Sequence, residues 1–229
     1  MLENVIIIPY RKREKHLEYF VTNTVPLIKQ HLPHTKVVIV EQANDKLFNR
    51  GKLLNVGFME YKDKTKYFIT QDVDINPTVE ILKEYYGHEV LNKKVWGIYT
   101  SACNTLGGII KIRNEDIFAV NGFPNDIWGW GSEDKALQNR TELFNIVKIT
   151  NFTPKMKDAQ LKFKRFNDID DRNRKNNGKN HQYNYIDFAK FSKEKKQTEI
   201  MKNGLCNIKY HIVTIETVGD IIEHIKVDI

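Results

Sequence analysis

The stretch Phe68-Ile-Thr-Gln-Asp-Val-Asp74 carries the pattern from which the fold can be inferred. Its apolar first half, together with Tyr67, predicts a buried strand over residues 67–72. The strand ends in two carboxylates on alternate residues, Asp72 and Asp74, which point the same way unless the end of the strand twists. Polar groups that follow a buried parallel strand are typical of a ligand site, so we expect function at this edge of the sheet.

Two further strand and helix pairs precede this stretch. Residues 4–9 and 36–41 are short β-branched runs, and apolar residues recur at helical spacing over 14–32 and 51–61. Three repeats of this kind predict an α/β fold with a mostly parallel, Rossmann-like central sheet that is flanked by helices. Ligands of such sheets lie beyond the carboxyl ends of the strands, which selects the loops 10–13, 42–50 and 72–77.

The middle and the end of the chain are expected to alternate short helices and strands. Asn114 is suited to cap a helix over 114–120, and Ser132 stands near the predicted N-cap of a helix with Glu133 and Asp134 in its first turn. The other predicted elements are a helix over 79–86, strands over 95–100, 108–112 and 145–150, and a terminal strand pair over 206–218 and 221–227.

Composition excludes several classes of protein. No apolar run approaches the ~20 residues that span a bilayer, so we expect no membrane span. Cys103 and Cys206 are too few for a disulfide framework or a cysteine-based metal cluster. The formal net charge of +7 is compatible with an anionic partner, although an ordinary solvated, lysine-rich surface accounts for most of the individual lysines. Nucleic acid is disfavoured because the basic runs lack regular aromatic interleaving, whereas an anionic nucleotide-sugar would suit this charge equally well.

The segment Asn121-Gly-Phe-Pro-Asn-Asp-Ile-Trp-Gly-Trp-Gly-Ser-Glu-Asp134 has the composition of a binding surface. Its glycines add backbone freedom that folding must remove, and Trp128 and Trp130 are large apolar rings on a loop. Aromatic rings pack on the apolar faces of sugars, while Glu133 and Asp134 offer carboxylates to sugar hydroxyls. The structural alternative is that both acids merely stabilise a helix N-terminus and that one tryptophan belongs to the core.

Asp72 and Asp74 have the chemistry of a site for a hard divalent cation. Mg²⁺ and Mn²⁺ are held by one or two protein carboxylates together with phosphate oxygens of a substrate. An Asp-x-Asp pair alone suits a turn or a helix cap equally well, but its place at the end of an apolar third strand favours a metal site. The two acidic segments together predict metal-assisted transfer onto a sugar.

Several segments of the chain resemble the β-1,4-galactosyltransferase family, in the family's order and approximate spacing. They are Phe48-Asn-Arg-Gly-Lys-Leu-Leu-Asn-Val-Gly-Phe58, Asp72-Val-Asp-Ile-Asn-Pro77, Gly107-Gly108 and the segment 121–134. The resemblance implies a fold of the glycosyltransferase-A type and an inverting transferase that moves galactose or N-acetylgalactosamine from a UDP-sugar. The acceptor would be a hydroxyl of a glycan or glycoconjugate, and the cofactor would be Mn²⁺, with Mg²⁺ as the alternative.

The resemblance also implies roles for individual residues. Asp134 would be the general base, Glu133 would hold sugar hydroxyls and be the next candidate for the base, and Asp74 would bind the metal. The acceptor would contact Trp130, Gly131, Glu133 and Asp134. The donor would contact residues from several segments, namely Pro9, Arg11, Arg13, Phe48, Arg50, Asp72, Val73, Thr105, Gly108 and Trp130.

Two positions depart from the family pattern. The family's histidine metal ligand falls near Asp170, which is therefore the predicted second ligand, with Asp168 or His181 as alternatives. Galactose-transferring relatives carry a bulky tyrosine beside the C2 substituent of the sugar, where this chain has Thr105. The smaller side chain leaves room for an N-acetyl group, so UDP-GalNAc is as good a candidate donor as UDP-galactose, and UDP-GlcNAc is a weaker one.

The resemblance implies one glycosyltransferase domain over residues 1–229. Its expected parts are a nucleotide-binding half over 1–77, an acceptor and catalytic half over 78–150, and a lid with terminal strands over 151–229. Since the chain starts almost at its first strand, we expect a soluble bacterial or viral enzyme in the cytoplasm or host cytoplasm. The alternatives are a noncatalytic carbohydrate-binding protein, which would not need its acids, and a basic nucleic-acid-binding protein, which leaves the acidic motifs unexplained.

Overall fold

The structure is a computed structural model, and it describes residues 1–100, 105–150, 164–165 and 191–229. Within these residues, eight strands form a central sheet with helices on both faces. Its strands are β1 (Leu2–Tyr10), β2 (Thr35–Gln42), β3 (Thr65–Thr70), β5 (Lys94–Tyr99), β6 (Ile109–Arg113), β7 (Val147–Ile149), β9 (His211–Val218) and β10 (Ile222–Asp228). Two short strands, β4 (Ile75–Asn76) and β8 (Lys164–Arg165), form a separate antiparallel pair.

The helices lie between the strands in the chain. They are α1 (Glu14–Tyr19), α2 (Val25–His31), α3 (Arg50–Glu60), α4 (Val79–Ile81), α5 (Asn114–Ala119), α6 (Glu133–Leu143) and α7 (Lys193–Ile200). In the part of the chain that the structure describes, no helix is both long and apolar enough to span a bilayer.

The strand order of the sheet is β7-β5-β6-β3-β1-β2-β10-β9. Strand β1 pairs in parallel with both β2 and β3, and β10 pairs in parallel with β2, whereas β6 and β9 run antiparallel to their neighbours. The predicted α/β fold with a mostly parallel sheet is therefore confirmed. Because β1, β2 and β3 run the same way, the loops that follow them meet at one edge of the sheet.

The central strand β1 has a buried core on each face. Val5 and Ile7 pack in the core beneath α3, while Ile6 and Ile8 pack in the core beneath α1 and α2. A Cβ added to Gly57 of α3 would lie 2.6 Å from Cγ2 of Ile7, so only glycine lets the helix approach the sheet this closely. This close packing fixes the N-terminus of α3, which begins at Arg50, over the edge of the sheet.

The predicted helix over 14–32 is interrupted by a π-helical turn, Phe20–Thr24, between α1 and α2. Pro26 lies in the first turn of α2 and has no N–H to donate to the preceding turn, which explains the wider turn there.

The prediction that Asn114 caps helix α5 is wrong. The N-cap of α5 is Arg113, and Asn114 Nδ2 instead donates a 2.9 Å hydrogen bond to the carbonyl of Thr65, which ties the helix to β3.

The predicted terminal strand pair is confirmed as β9 and β10, which are antiparallel. Strand β10 is inserted between β9 and β2, so it extends the side of the sheet that contains β1 and β2. The outer strand β9 is exposed along most of its length, and Val213 and Ile215 are each about half exposed, at 49% and 52%.

Candidate active site

The two acids that follow β3 each meet an arginine at the carboxyl edge of the sheet. Nη1 of Arg13, from the loop after β1, lies 3.3 Å from Oδ2 of Asp74, and both side chains are largely buried. Nε of Arg50, at the start of α3, donates a 2.7 Å hydrogen bond to Oδ1 of Asp72. The loops after β1 and β3 therefore meet at this edge, where positive and negative side chains are paired.

Arg50 joins this edge to the loop that precedes α6. Its Nη2 donates a 3.2 Å hydrogen bond to the carbonyl of Gly108, and its Nη1 lies 3.8 Å from Oε1 of Glu133. Within the described part of the chain, Nη1 of Arg50 and Oε2 of Glu133 are buried and make no hydrogen bond. Buried polar atoms without partners are uncommon in folded proteins, so these two mark a place where a polar ligand fits.

The acids around Arg50 form one electrostatic cluster. Burial raises the pKa of Glu133 to about 7, against the opposing charge of Arg50 and with a further contribution from Asp134. Burial also raises the pKa of Asp72, which Arg50 opposes and Asp74 reinforces. Perturbation of this kind is typical of sites built for chemistry. The interactions run continuously from Asp74 to Asp134, so acids that are distant in sequence share one site.

Asp134 is held through both of its carboxylate oxygens. Oδ2 accepts a hydrogen bond from Oγ1 of Thr105, and Oδ1 accepts one of 2.7 Å from the backbone N–H of Lys135. A Cβ added to Gly107 would lie 3.0 Å from Oδ2, so the backbone there packs against the carboxylate. Since α6 begins at Glu133, Asp134 also lies in the first turn, where the helix dipole favours negative charge.

The two tryptophans before α6 have different environments. Trp130 is 53% exposed, and no atom lies within 4 Å of a Cβ added to the neighbouring Gly131, so this part of the loop faces open space. Trp128 is partly buried against the core, with the ammonium groups of Lys46 and Lys52 over its ring at 5.4 and 6.0 Å. Trp130 is therefore the more exposed of the two rings, whereas Trp128 is a packing residue, as the structural alternative proposed for one of the pair.

A second group of predicted donor contacts lies beside Arg13. The guanidinium of Arg11 stands over the ring of Phe48 at 5.4 Å, and its Nη1 donates a hydrogen bond to the carbonyl of Lys46. The carbonyl of Phe48 accepts a 2.8 Å hydrogen bond from the N–H of Gly129, which connects this group to the tryptophan loop. The ring of Phe48 and the guanidinium of Arg11 together have the chemistry that suits a planar nucleobase.

Some predicted site residues present no free side chain to a ligand. Pro9 is buried at the end of β1, and Val73 is 3% exposed and belongs to the core beneath α1 and α2. Thr105 is 8% exposed, and its hydroxyl is directed at Asp134. Asp170 lies outside the described residues, as do its alternatives Asp168 and His181.

Two polar side chains for which the sequence predicted no role hold the loop before α6. Asn55 of α3 donates to the carbonyl of Phe123 at 2.7 Å and accepts from its N–H at 2.9 Å. The buried Arg140 of α6 donates 2.9 Å hydrogen bonds to the carbonyls of Asn121 and Gly122. A lone asparagine among the apolar residues of α3 was a usable signal, but nothing in the sequence around Arg140 distinguishes it from a surface arginine.

The residues at the edge fit a divalent cation that is shared with a diphosphate. Among the described residues, no group of three His, Cys, Asp or Glu side chains is arranged to hold a metal by itself. Cations such as Mn²⁺ and Mg²⁺ take few ligands from a protein when substrate phosphates supply the others. Asp74, with Asp72 close behind it, meets that smaller requirement, and Arg13 and Arg50 supply positive charge for the phosphates.

We expect Glu133→Gln to change how stability depends on pH. Because the folded state binds the Glu133 proton more tightly than the unfolded state, wild-type stability should fall by about 2–3 kcal/mol as pH rises from about 4.5 to about 7. The glutamine variant should lack the part of this loss that comes from Glu133. Urea denaturation of both proteins at about pH 5 and about pH 8 measures the free energy of unfolding, and an identical pH dependence in the two proteins would contradict the raised pKa of Glu133.

Comparison with known proteins identifies two adjoining matched regions. Residues 2–86 match the N-terminal region of glycosyl transferase group 7, and residues 88–172 match the N-terminal domain of galactosyltransferase. Together the two matches include Asp72, Asp74, Arg50 and the first turn of α6, which carries Asp134.

The chain is also similar to individual enzymes. It is 36% identical over 144 residues to Homo sapiens β-1,4-galactosyltransferase 4, which is 60% of this chain and 42% of the relative. It is 29% identical over 219 residues to Mus musculus β-1,4-galactosyltransferase 2, which is 92% of this chain and 55% of the relative. The chain thus spans about half the length of the curated relatives that it matches.

The prediction of a cytoplasmic enzyme is wrong. The relatives are animal β-1,4-galactosyltransferases, which are Golgi-resident type II membrane enzymes. The prediction relied on the first strand standing near the start of the given sequence, and that position carries no information about cellular location.

A solved structure agrees with the fold. The catalytic domain of Drosophila β1,4-galactosyltransferase 7, in complex with xylobiose, matches with a TM-score of 0.75 and 23% identity over 100% of this chain and 94% of its own. A mutant of that enzyme, in complex with manganese, UDP-Gal and xylobiose, matches with a TM-score of 0.73. The fold and the two matched regions agree, and this chain belongs to the β-1,4-galactosyltransferase family.

Proposed function

We propose that this chain is an inverting hexosyltransferase that moves galactose or N-acetylgalactosamine from a UDP-sugar to a hydroxyl of a glycan or glycoconjugate. The observation that carries the proposal is the position of Arg50, which bonds to Asp72 at the nucleotide edge and approaches Glu133 beside Asp134. The buried guanidinium of Arg50 thereby places Asp72, a proposed donor contact, next to Glu133, a proposed acceptor contact. We further propose that residues 1–229 act as one domain with the three parts that the sequence predicts.

The donor is proposed to lie along the carboxyl edge of the sheet. Arg11 and Phe48 suit the uracil ring, while Arg13 and Arg50 suit the diphosphate, since guanidinium groups bind phosphate oxygens through paired N–H donors. Asp72 would contact the ribose or support the metal. Pro9, Val73 and Gly108 would contribute backbone only.

We propose Asp74 as the protein carboxylate that binds Mn²⁺, with Mg²⁺ as the alternative and Asp170 as the proposed second ligand. The complex of the Drosophila enzyme with manganese and UDP-Gal supports the choice of Mn²⁺ as the metal. When bound, the cation supplies positive charge to the departing diphosphate. Arg13 pairs with Asp74 in this structure, and when the metal occupies Asp74 its guanidinium would pair with the phosphates instead.

The chemical step is a single displacement. The acceptor oxygen forms a bond to C1 of the donor sugar on the face opposite UDP, the bond between C1 and the UDP oxygen breaks, and Asp134 takes the acceptor proton. The configuration at C1 inverts. Glu133 would bind sugar hydroxyls through its unpartnered oxygen, and the exposed Trp130 would cover a sugar ring next to Gly131.

A donor screen tests the proposal. UDP release is measured with UDP-Gal, UDP-GalNAc, UDP-GlcNAc and UDP-Glc, with and without Mn²⁺, over a panel of glycan acceptors. We expect release that requires Mn²⁺, prefers the two galacto donors and depends on acceptor. Asp74→Asn should weaken Mn²⁺ binding at least about tenfold, measured by calorimetry in the presence of UDP.

The outcomes of this screen separate the proposal from its alternatives. Release that ignores both metal and donor would contradict it. Binding of sugars without any release would favour the noncatalytic carbohydrate-binding protein. Asp63→Asn, at an exposed turn acid away from the site, is the matched control and should retain both Mn²⁺ binding and release.

A further inference from the structure

Thr105 makes the only side-chain hydrogen bond to Asp134 among the described residues. The threonine precedes β6, and the aspartate lies in the first turn of α6. The other carboxylate oxygen is bonded by the N–H of the adjacent Lys135, which belongs to the same helix. The Thr105 hydroxyl is thus the contact that fixes Asp134 relative to the sheet.

The surroundings of this contact leave the carboxylate little freedom. Thr105 is 8% exposed, so its hydroxyl is shielded from competing water. The backbone of Gly107 packs against the same oxygen, since an added Cβ would lie 3.0 Å from Oδ2 of Asp134. A carboxylate has about four lone-pair positions, so both oxygens can still accept a further hydrogen bond from a substrate hydroxyl.

We propose that Thr105 is a positioning residue that orients the Asp134 carboxylate toward the acceptor hydroxyl. The inference rests on the proposed function, in which Asp134 takes the acceptor proton. A base contributes to the rate only when its oxygen stands at hydrogen-bond distance and in line with the proton, so rotation of the carboxylate lowers turnover without weakening donor binding.

This role differs from the effect on donor choice that the small size of Thr105 predicts. Extra room for an N-acetyl group changes the KM for one donor relative to another. Orientation of Asp134 changes kcat for every donor by the same factor. The two roles therefore predict different kinetic results for variants at the same position.

Thr105→Val keeps the shape of the side chain and removes the hydroxyl. We expect kcat to fall about tenfold or more with both UDP-Gal and UDP-GalNAc, because a hydrogen bond to a charged group is lost. The dissociation constant of UDP with Mn²⁺, measured by calorimetry, should stay at the wild-type value. Thr105→Ser keeps the hydroxyl and should restore most of kcat.

Two controls separate the hydroxyl from general packing. Thr141→Val removes another buried threonine hydroxyl, which in α6 donates 2.8 Å to the carbonyl of Gln138, and kcat should remain close to wild type. In an Asp134→Asn background, Thr105→Val should cause little further loss, because residues that act as a unit are not additive. Thermal unfolding verifies the fold of each variant, and Thr105→Ala replaces the valine variant if that one does not fold.

The results distinguish the two proposals. An active wild type with an unchanged kcat in Thr105→Val, a serine variant as impaired as the valine variant, or a change confined to the KM of one donor would each overturn the positioning role alone. A wild type that releases no UDP from any donor would overturn the proposed function and this inference together.

Discussion

Asp134→Asn is expected to lower kcat by about 10²–10⁴-fold, the usual contribution of a positioned general base. The amide has nearly the shape of the carboxylate, so α6 should keep its fold. The amide oxygen can still accept from the N–H of Lys135, while its NH₂ group donates to the hydroxyl of Thr105 in place of the bond that Thr105 donates to the carboxylate. UDP and Mn²⁺ should bind as in the wild type, because their proposed contacts lie at Asp74 and the arginines of the sheet edge. Steady-state kinetics and calorimetry with UDP measure the two quantities separately.

Asp126→Asn is the matched control for this variant. Asp126 is an exposed acid of the loop that precedes α6, and its Oδ1 accepts a 2.7 Å hydrogen bond from Nδ2 of Asn203. We expect near wild-type kcat there. Full turnover in Asp134→Asn would remove Asp134 from the role of base, and the same measurement on Glu133→Gln would then test the next candidate.

Arg50→Met is expected to lower the free energy of unfolding by about 3–5 kcal/mol at about pH 8, the usual cost of removing one partner from a buried ion pair. The side chain is 12% exposed, and its loss leaves Asp72 and Glu133 without their shared cation. The loss should be smaller at about pH 5, because Glu133 is protonated below its pKa of about 7. Urea denaturation at the two pH values measures both effects.

Arg113→Met provides the comparison for Arg50. Arg113 pairs with the exposed Glu115 at 3.3 Å, and exposed pairs contribute about 1 kcal/mol or less. Equal losses in the two variants would show that Arg50 is not the centre of the charge cluster. Arg50→Lys should fall between wild type and Arg50→Met, since an ammonium keeps the charge but loses the planar set of donors.

The sheet could be predicted because its strands are short, apolar and β-branched. Residues 4–9, 36–41 and 67–72 lie within or next to the observed β1, β2 and β3, and the terminal pair was placed from the same pattern. The order of the strands determines which loops meet, so the convergence of Arg13 with Asp74 followed from topology. The prediction succeeded because strands of a parallel sheet are buried on both faces, so each one is a continuous apolar run that can be recognised in the sequence.

Contacts made by single polar side chains could not be predicted in the same way. Asn114 has the composition of a cap, but a tertiary hydrogen bond to Thr65 competes for it. The Thr105 hydroxyl faces Asp134, 29 residues away in sequence, and no periodicity encodes that pairing. Arg140 is hidden in a polar helix, although it holds the loop before Glu133. Such contacts depend on how elements pack, which the sequence pattern does not specify.

The place of β10 has a consequence for how the protein is made. This strand lies between β2 and β9, and Ile225 is paired with Val40, so the interior of the sheet is completed by a strand that is far from β2 in the sequence. During synthesis on the ribosome, β2 has an open edge until residues 222–228 have emerged. Long-range pairing of this kind slows folding and leaves unpaired strand edges open to association until β10 is in place.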